Sequence, residues 1–289
     1  MYKSLEEIVR ISEEKKQSFY EVILADDCKE RAIAKEESVR QMKEMYLAMK
    51  QADASYDAKL VSASGLAGCD GEKMRIEREK KELLCGDFIG LVMEKALKMG
   101  ESNACMKRIV AAPTAGSCGV VPAVLLSLEE KEHYSEEEMT QALFVAAGIG
   151  GVIASRAFLA GAAGGCQAEI GSASAMAAGA VTYLKGGNNR QIINASALAL
   201  KNLLGLACDP VAGLVEVPCV KRNVIGAVNA LTSSDMARAG IESKIPPDEV
   251  IDAMRAIGRS MPSSIKETGE GGLAATPTGL KAKENLKNF

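Results

Sequence analysis

The sequence has one histidine among 289 residues, no Cys-x-x-Cys pair, and no excess of basic charge. Each shortage removes a class of function. A formal net charge of -3, with Lys+Arg at 35 against Asp+Glu at 38, gives no footprint for a nucleic acid or another polyanion, and points to a small-molecule task. One histidine and no Cys-x-x-Cys leave no compact zinc pattern. The N-terminus, MYKSLEEIVRISEEKKQ, places charges where a secretory signal needs an apolar core. The eight cysteines are therefore expected to be reduced, in the cytoplasm. The most apolar run, Leu143 to Cys166, contains Arg156 and is mostly Gly and Ala, so it reads as closely packed buried helices rather than a membrane span.

What is present is helical. Hydrophobic residues make up 47% of the chain, ample for a large core, and few segments alternate in the β-branched pattern of strands. From Ser4 to Lys50 there is no Gly or Pro, and Ser4 with Glu7 has capping-box spacing, as do Ser135 and Glu138. Residues 51 to 75 change character, and SASGLAGCDGEKM reads as a loop that approaches another backbone or a ligand. FIGLVMEKALKMG, NNRQIINASALALKNLLG, RNVIGAVNALTSSDMARAG and PPDEVIDAMRAIGRSMP read as helices, the last introduced by Pro246, Pro247 and Asp248. With no repeat and no linker, the expectation is a mainly α fold in a single domain over 1–289. Residues 1–60 would form charged N-terminal helices, and 61–280 the functional core.

Three cysteines sit in segments that look like built loops: Cys166 in GGCQAEIGS, Cys208 in ACDPV and Cys219 in VPCVKRN, at intervals of 42 and 11 residues. Thiolates suit zinc or iron-sulfur clusters, and a cluster accepts ligands from distant parts of a chain. Taken singly, a free cysteine is equally a small buried hydrophobe.

The segments APTAGSCGVVPAVL, GGCQAEIGSASAMAA, CDPVAGLVEVPC, RNVIGAVNAL and KETGEGGLAATPTG, in order between Ser62 and Gly279, resemble those of the iron-sulfur-dependent bacterial L-serine dehydratases, in particular the α chain of the two-subunit form. SASGLAGCDGEKM resembles the same family's SxxGLTGGDA segment, with Ala67 and Cys69 in place of Thr and Gly. The resemblance implies a helical domain built around a 4Fe-4S cluster held by Cys166, Cys208 and Cys219, with one iron left open as a Lewis acid. The implied reaction converts L-serine to pyruvate and ammonia without pyridoxal phosphate. Cys118 and Cys69 are expected near the site as packing residues, and Cys28, Cys85 and Cys105 as incidental. Some single-chain relatives cover the open iron with a C-terminal cysteine; this chain ends ENLKNF, so that arrangement is not expected here.

His133, in the charged segment EEKEHYSEEEM, is rejected as the base, and the family's SSSHT-type histidine motif is missing. The resemblance therefore implies a hetero-oligomer in which a β subunit with an ACT-like module supplies the base. For the substrate, Thr114, Ala115, Gly116 and Ser117 in APTAGSCG offer hydroxyls and accessible N–H groups, although the same stretch also reads as an ordinary helix N-terminus. Ala115 stands where the family usually has Asn. Ser64 and Gly65, and Lys266, Glu267 and Thr268 in KETGEGG, are further candidates, Lys266 being also readable as an exposed structural lysine. Arg222 and Asn223 are placed to support the cluster by hydrogen bonding. Three rivals remain open: a pyridoxal-phosphate dehydratase using GEGGLA as a phosphate cradle, an iron-sulfur L-cysteine desulfidase, and a non-catalytic helical module with structural zinc.

Overall fold

Local capping chemistry decides where several helices begin. The computed structural model describes residues 2–287, so Met1, Asn288 and Phe289 of the expected domain and of the ENLKNF terminus lie outside the described residues. Ser4 Oγ accepts the Glu7 N–H at 3.2 Å and opens α1 (Leu5–Lys15). Glu7 does not complete the box, since its carboxylate accepts from Lys3 N–H at 3.4 Å; the free N–H of Leu5 is met at 2.9 Å by Asp248, whose carboxylate also accepts from Ser4 Oγ at 2.8 Å. α2 (Phe19–Arg31) and α3 (Lys35–Ala54) complete the charged N-terminal layer. The expected loop at 51–75 is shorter than predicted. α3 runs to Ala54, and α4 (Asp70–Glu79) already begins at Asp70, since Glu101 accepts the free N–H groups of Asp70 and Gly71 at 2.7 and 3.1 Å.

α5 (Gly86–Ala104) and α6 (Val120–Glu132) follow, and α7 (Glu136–Arg156) starts with the expected Ser135–Glu138 capping box. The apolar run from Leu143 is thus divided: α7 ends at Arg156, and α8 (Gly161–Gly164) is one short turn with Ala162 and Ala163 exposed. α9 (Ser172–Leu184) is buried on every face from Ser172 to Thr182 and forms the axis of the molecule. Around it pack α6, α7, α10 (Asn189–Asn202) and α11 (Cys219–Arg238). Small side chains permit this close approach: a Cβ at Gly179 would lie 2.2 Å from Ile149 Cδ1 and 2.8 Å from Ser196 Oγ. α12 (Pro247–Ser260), with its proline in the first turn, lies against α8, α10 and α1, and α13 (Pro277–Lys287) ends the described chain.

The result is a single all-α domain. Among the described residues there is no strand, only isolated bridges between Val61 and Gly68 and between Cys208 and Lys266. α7 is the one described helix long and apolar enough to cross a membrane, yet it is packed against α2, α3 and α9 as an interior helix.

Candidate metal centre

Each of the three cysteines lies where regular helix starts or fails. Gly165, at φ +76, breaks α8, and Cys166 then leads into a π-helical turn, Gln167–Gly171, that runs on into α9. Such turns are uncommon and are frequent at functional sites. Gln167, fully buried, locks this turn in place by donating to Gly164 O and Met254 O at 2.9 and 3.1 Å and accepting from Gly205 N–H at 2.9 Å. Cys208 is held on both sides by one segment, its N–H donating to Ile265 O at 2.8 Å and its O accepting from Glu267 N–H at 2.7 Å. Cys219 is the first residue of α11. All three are buried, at 2%, 2% and 5% exposure, and all eight cysteines are free thiols.

The thiols of Cys166 and Cys208 and a carboxylate oxygen of Glu169 lie within 4.8 Å of one another. Cys219 is outside that tight group but near enough to interact electrostatically with both thiols. A hydrogen bond from Cys208 lowers the pKa of Cys166 against the effect of burial, and the Arg222 guanidinium adds to the lowering. The same hydrogen bond, with burial and the neighbouring negative groups, pushes Cys208 strongly up. Within the pair, negative charge therefore falls on Cys166 in preference to Cys208. Burial pushes Cys219 up to about 12. Arg222 itself is drawn toward its charged form by Cys166 and Asp209, which together outweigh its burial. It donates to Ala207 O at 2.6 Å and to Asp209 Oδ1 at 2.9 Å, and Asp209 Oδ2 in turn accepts from Leu273 N–H at 2.9 Å. One guanidinium thus ties a thiol, the Cys208 loop and the GEGGLA segment together. Asn223, also expected near the cluster, bonds Cys219 O at 2.9 Å, Gly116 O at 3.0 Å and the Gly119 N–H at 2.8 Å.

Two carboxylates stand out that sequence reasoning passed over. Glu169 accepts from Thr114 Oγ1 at 2.7 Å and lies 3.9 Å from Cys208 Sγ; burial raises its pKa, the Thr114 hydrogen bond opposes this, and Glu267 adds to the rise. Glu216, 6% exposed, accepts from Ser62 Oγ at 2.7 Å and also from Ser64 Oγ. Both glutamates stand inside the quoted cysteine motifs, three residues from Cys166 and from Cys219, and that placement was the available signal.

The candidate substrate residues separate into two groups. Thr114 and Ser117 form a reciprocal cap around a 3-10 turn, Ala115–Ser117, with Ser117 and Gly116 buried, Ala115 exposed and Thr114 half-buried. This turn does introduce a helix, α6, and its threonine also reaches Glu169. Ser64 is joined to Glu216 beside the exposed Gly65. Lys266 is half-buried alongside Cys208, while exposed Thr268 donates to Ser263 O at 3.1 Å and so closes a turn. Three non-glycine residues in these loops, Cys69, Ala212 and Glu267, hold positive φ of 65, 55 and 64°. Cys118 is 1% exposed and packs with its thiol 3.6 Å from Met99 O. Cys85 is exposed, and Cys28, Cys69 and Cys105 are half-buried. His133 is an exposed C-terminal residue after α6, in a cleft with Lys50, Asp53, Lys95 and Glu129. A helix of that length sets it about 20 Å from the Thr114 turn.

Comparison with known proteins identifies the family. Residues 13–274 match the family model described as "Serine dehydratase alpha chain". The chain is 46% identical over 286 residues to a protein of Bacillus subtilis named "Probable L-serine dehydratase, alpha chain", covering 99% of this chain and 95% of that one. It is 39% identical over 288 residues to the "L-serine dehydratase, alpha chain" of Peptoniphilus asaccharolyticus, covering 99% and 98%. Against the "L-serine dehydratase" of Helicobacter pylori it is 42% identical over 211 residues, which is 71% of this chain but 46% of that protein.

Proposed function

Since this chain belongs to the serine dehydratase α-chain family, we propose that it is the cluster-binding half of a lyase that converts L-serine to pyruvate and ammonia. The observation that carries the reading is the convergence of the buried Cys166 and Cys208 thiols with Glu169, and Cys219 close by, in segments separated by up to 53 residues. The donor set fits an iron-sulfur cluster. Soft thiols predominate, no disulfide consumes them, and the hydrogen bond with Cys166 together with burial at Cys208, and burial at Cys219, make these two poor lone thiolates, a cost that bonding to a metal removes. A 4Fe-4S cluster with one open iron supplies the Lewis acidity that makes hydroxide a competent leaving group.

The chain's own residues do the rest of the binding. Cys166, Cys208 and Cys219 hold the cluster, and Arg222 offsets negative charge beside Cys166. Thr114 and Ser117, with the N–H groups around Gly116, cradle the substrate carboxylate. Ser64, Gly65, Lys266 and Thr268 line its approach. The hydroxyls of Thr114 and Ser64 already donate to carboxylates of this chain, so their orientation suits the task. Loss of the α-proton and the β-hydroxyl gives aminoacrylate, which tautomerises and takes up water to release pyruvate and ammonia.

The base comes from elsewhere. His133 lies at the far end of α6, and the relatives' designation as α chains supports a β subunit, ACT-like in our reading, that completes the site in a hetero-oligomer. Eight free thiols suit the reducing cytoplasm. The test is iron and acid-labile sulfide after anaerobic reconstitution, with pyruvate release from L-serine measured with and without the co-expressed partner. About four of each per chain, and activity only with the partner, is the expected result. Zinc without sulfide would overturn the cluster, and full activity of the lone chain would overturn the split site.

A further inference from the structure

Glu169 is accounted for neither by the fold nor by the roles assigned above. It is 8% exposed, and among the described residues no ion pair neutralises it. Its polar contacts are the Thr114 hydroxyl at 2.7 Å and the Cys208 thiol at 3.9 Å. A buried carboxylate is normally paired with a cation or bound to a metal. The guanidinium of the centre, Arg222, is already committed to Ala207 O and Asp209.

Its position is built rather than incidental. The π-helical turn sets Glu169 on the same side as Cys166, where one of its oxygens lies within 4.8 Å of both cysteine sulfurs. Glycines keep the space around it clear. A Cβ at Gly161 would stand 2.8 Å from both Cys208 Sγ and Glu169 Oε2, and one at Gly116 would stand 3.0 Å from Oε1. No larger residue fits at Gly161 without moving either the thiol or the carboxylate.

We propose that the Glu169 carboxylate occupies the position left open by the three thiols in the resting protein, and yields it when substrate enters. This rests on the cluster reading above. An oxygen donor is the harder, more exchangeable partner beside three soft thiolates, so it closes the site without sealing it. The Thr114 hydroxyl steadies the carboxylate in the resting state, donating its one hydrogen to Oε1 at 2.7 Å, and a substrate carboxylate competes for that hydrogen. Because Thr114 also belongs to the proposed substrate cradle, substrate capture and release of Glu169 become one event. The exchange swaps one oxygen ligand for another and needs no oxidant or reductant.

The experiment compares wild type, Glu169→Gln and Glu169→Asp, each reconstituted anaerobically and purified with the partner subunit. Iron and sulfide content are measured first. Mild oxidation with ferricyanide then removes the exposed iron, and electron paramagnetic resonance follows the 3Fe-4S form that remains. All three proteins should hold equal iron, with Glu169→Gln losing the exposed iron about tenfold faster than wild type. Glu169→Asp, which keeps a carboxylate, should lose it more slowly than Glu169→Gln, and saturating L-serine should bring the wild-type and Glu169→Gln rates together. Equal rates without substrate, equal rates for the two variants, or a Glu169→Gln protein that folds yet binds no cluster would each overturn the proposal while leaving the cysteine cluster standing. A wild-type protein that takes up no iron would instead overturn the cluster reading, and this inference with it.

Discussion

Thr114 Oγ1 donates a 2.7 Å hydrogen bond to Glu169 Oε1 across 55 residues of sequence, joining the turn before α6 to the π-helical turn that follows Cys166. Thr114→Val keeps the shape and removes the donor. KM for L-serine should rise about tenfold or more, the worth of one hydrogen bond to a charged group, with iron content unchanged. Steady-state kinetics beside an iron assay checks this, and an unaltered KM would remove Thr114 from the cradle.

The cysteine assignment predicts a sharp division among the eight thiols. Cys166→Ala, Cys208→Ala and Cys219→Ala should each lose most of the reconstituted iron and the charge-transfer absorbance. Cys85→Ser, at an exposed position, should retain both. Iron intact in any of the first three would strike that residue from the ligand set.

Arg222 bears on stability before any cluster is bound. Its side chain and that of Asp209 are 14% and 8% exposed, so Arg222→Met leaves a buried carboxylate and the Ala207 carbonyl without their partner. The cluster-free chain should lose about 3 kcal/mol in urea unfolding. Arg222→Lys should recover only part of this, because a single ammonium does not reproduce the planar fork that spans both acceptors.

Lys95 gives a pH signature remote from the cysteines. Burial acts to lower its pKa, but Asp53 at 2.6 Å and Glu130 at 3.3 Å together raise it above 10.5. A raised folded-state value means that the ion pair's stabilisation is fully present below the unfolded pKa. It disappears as pH rises through the folded one. The stability gap between wild type and Lys95→Met, about 3 kcal/mol, should therefore stay constant from neutral pH to near 10 and shrink above it. A gap that already closes between pH 7 and 9 would contradict this.

Local signals were legible where local chemistry suffices. Ser135 with Glu138 and Pro247 in the first turn of α12 mark helix starts from side chains only a few residues apart. The start of α4 is not marked locally because its cap is Glu101, about thirty residues away, and the first free N–H groups of α1 are met by the still more remote Asp248. The three cysteines were legible from their motifs. Glu169 and Glu216 stood beside them in those motifs, but a glutamate next to a cysteine has no meaning until the backbone turns it inward.

By itself the sequence determined that the chain is helical, through the near-absence of strand alternation and the abundance of Ala and Leu, and its motifs singled out three thiols, two of which the fold brings together with Glu169. Tertiary structure decided what surrounds them. Burial and proximity are properties of segments brought together from remote parts of the chain: the π-helical turn, the Cys208 loop, the start of α11 and the Thr114 turn. Only their packing around α9 sets a carboxylate, two thiols and a hydroxyl within bonding reach, because such distances depend on how helices pack and no local pattern encodes them.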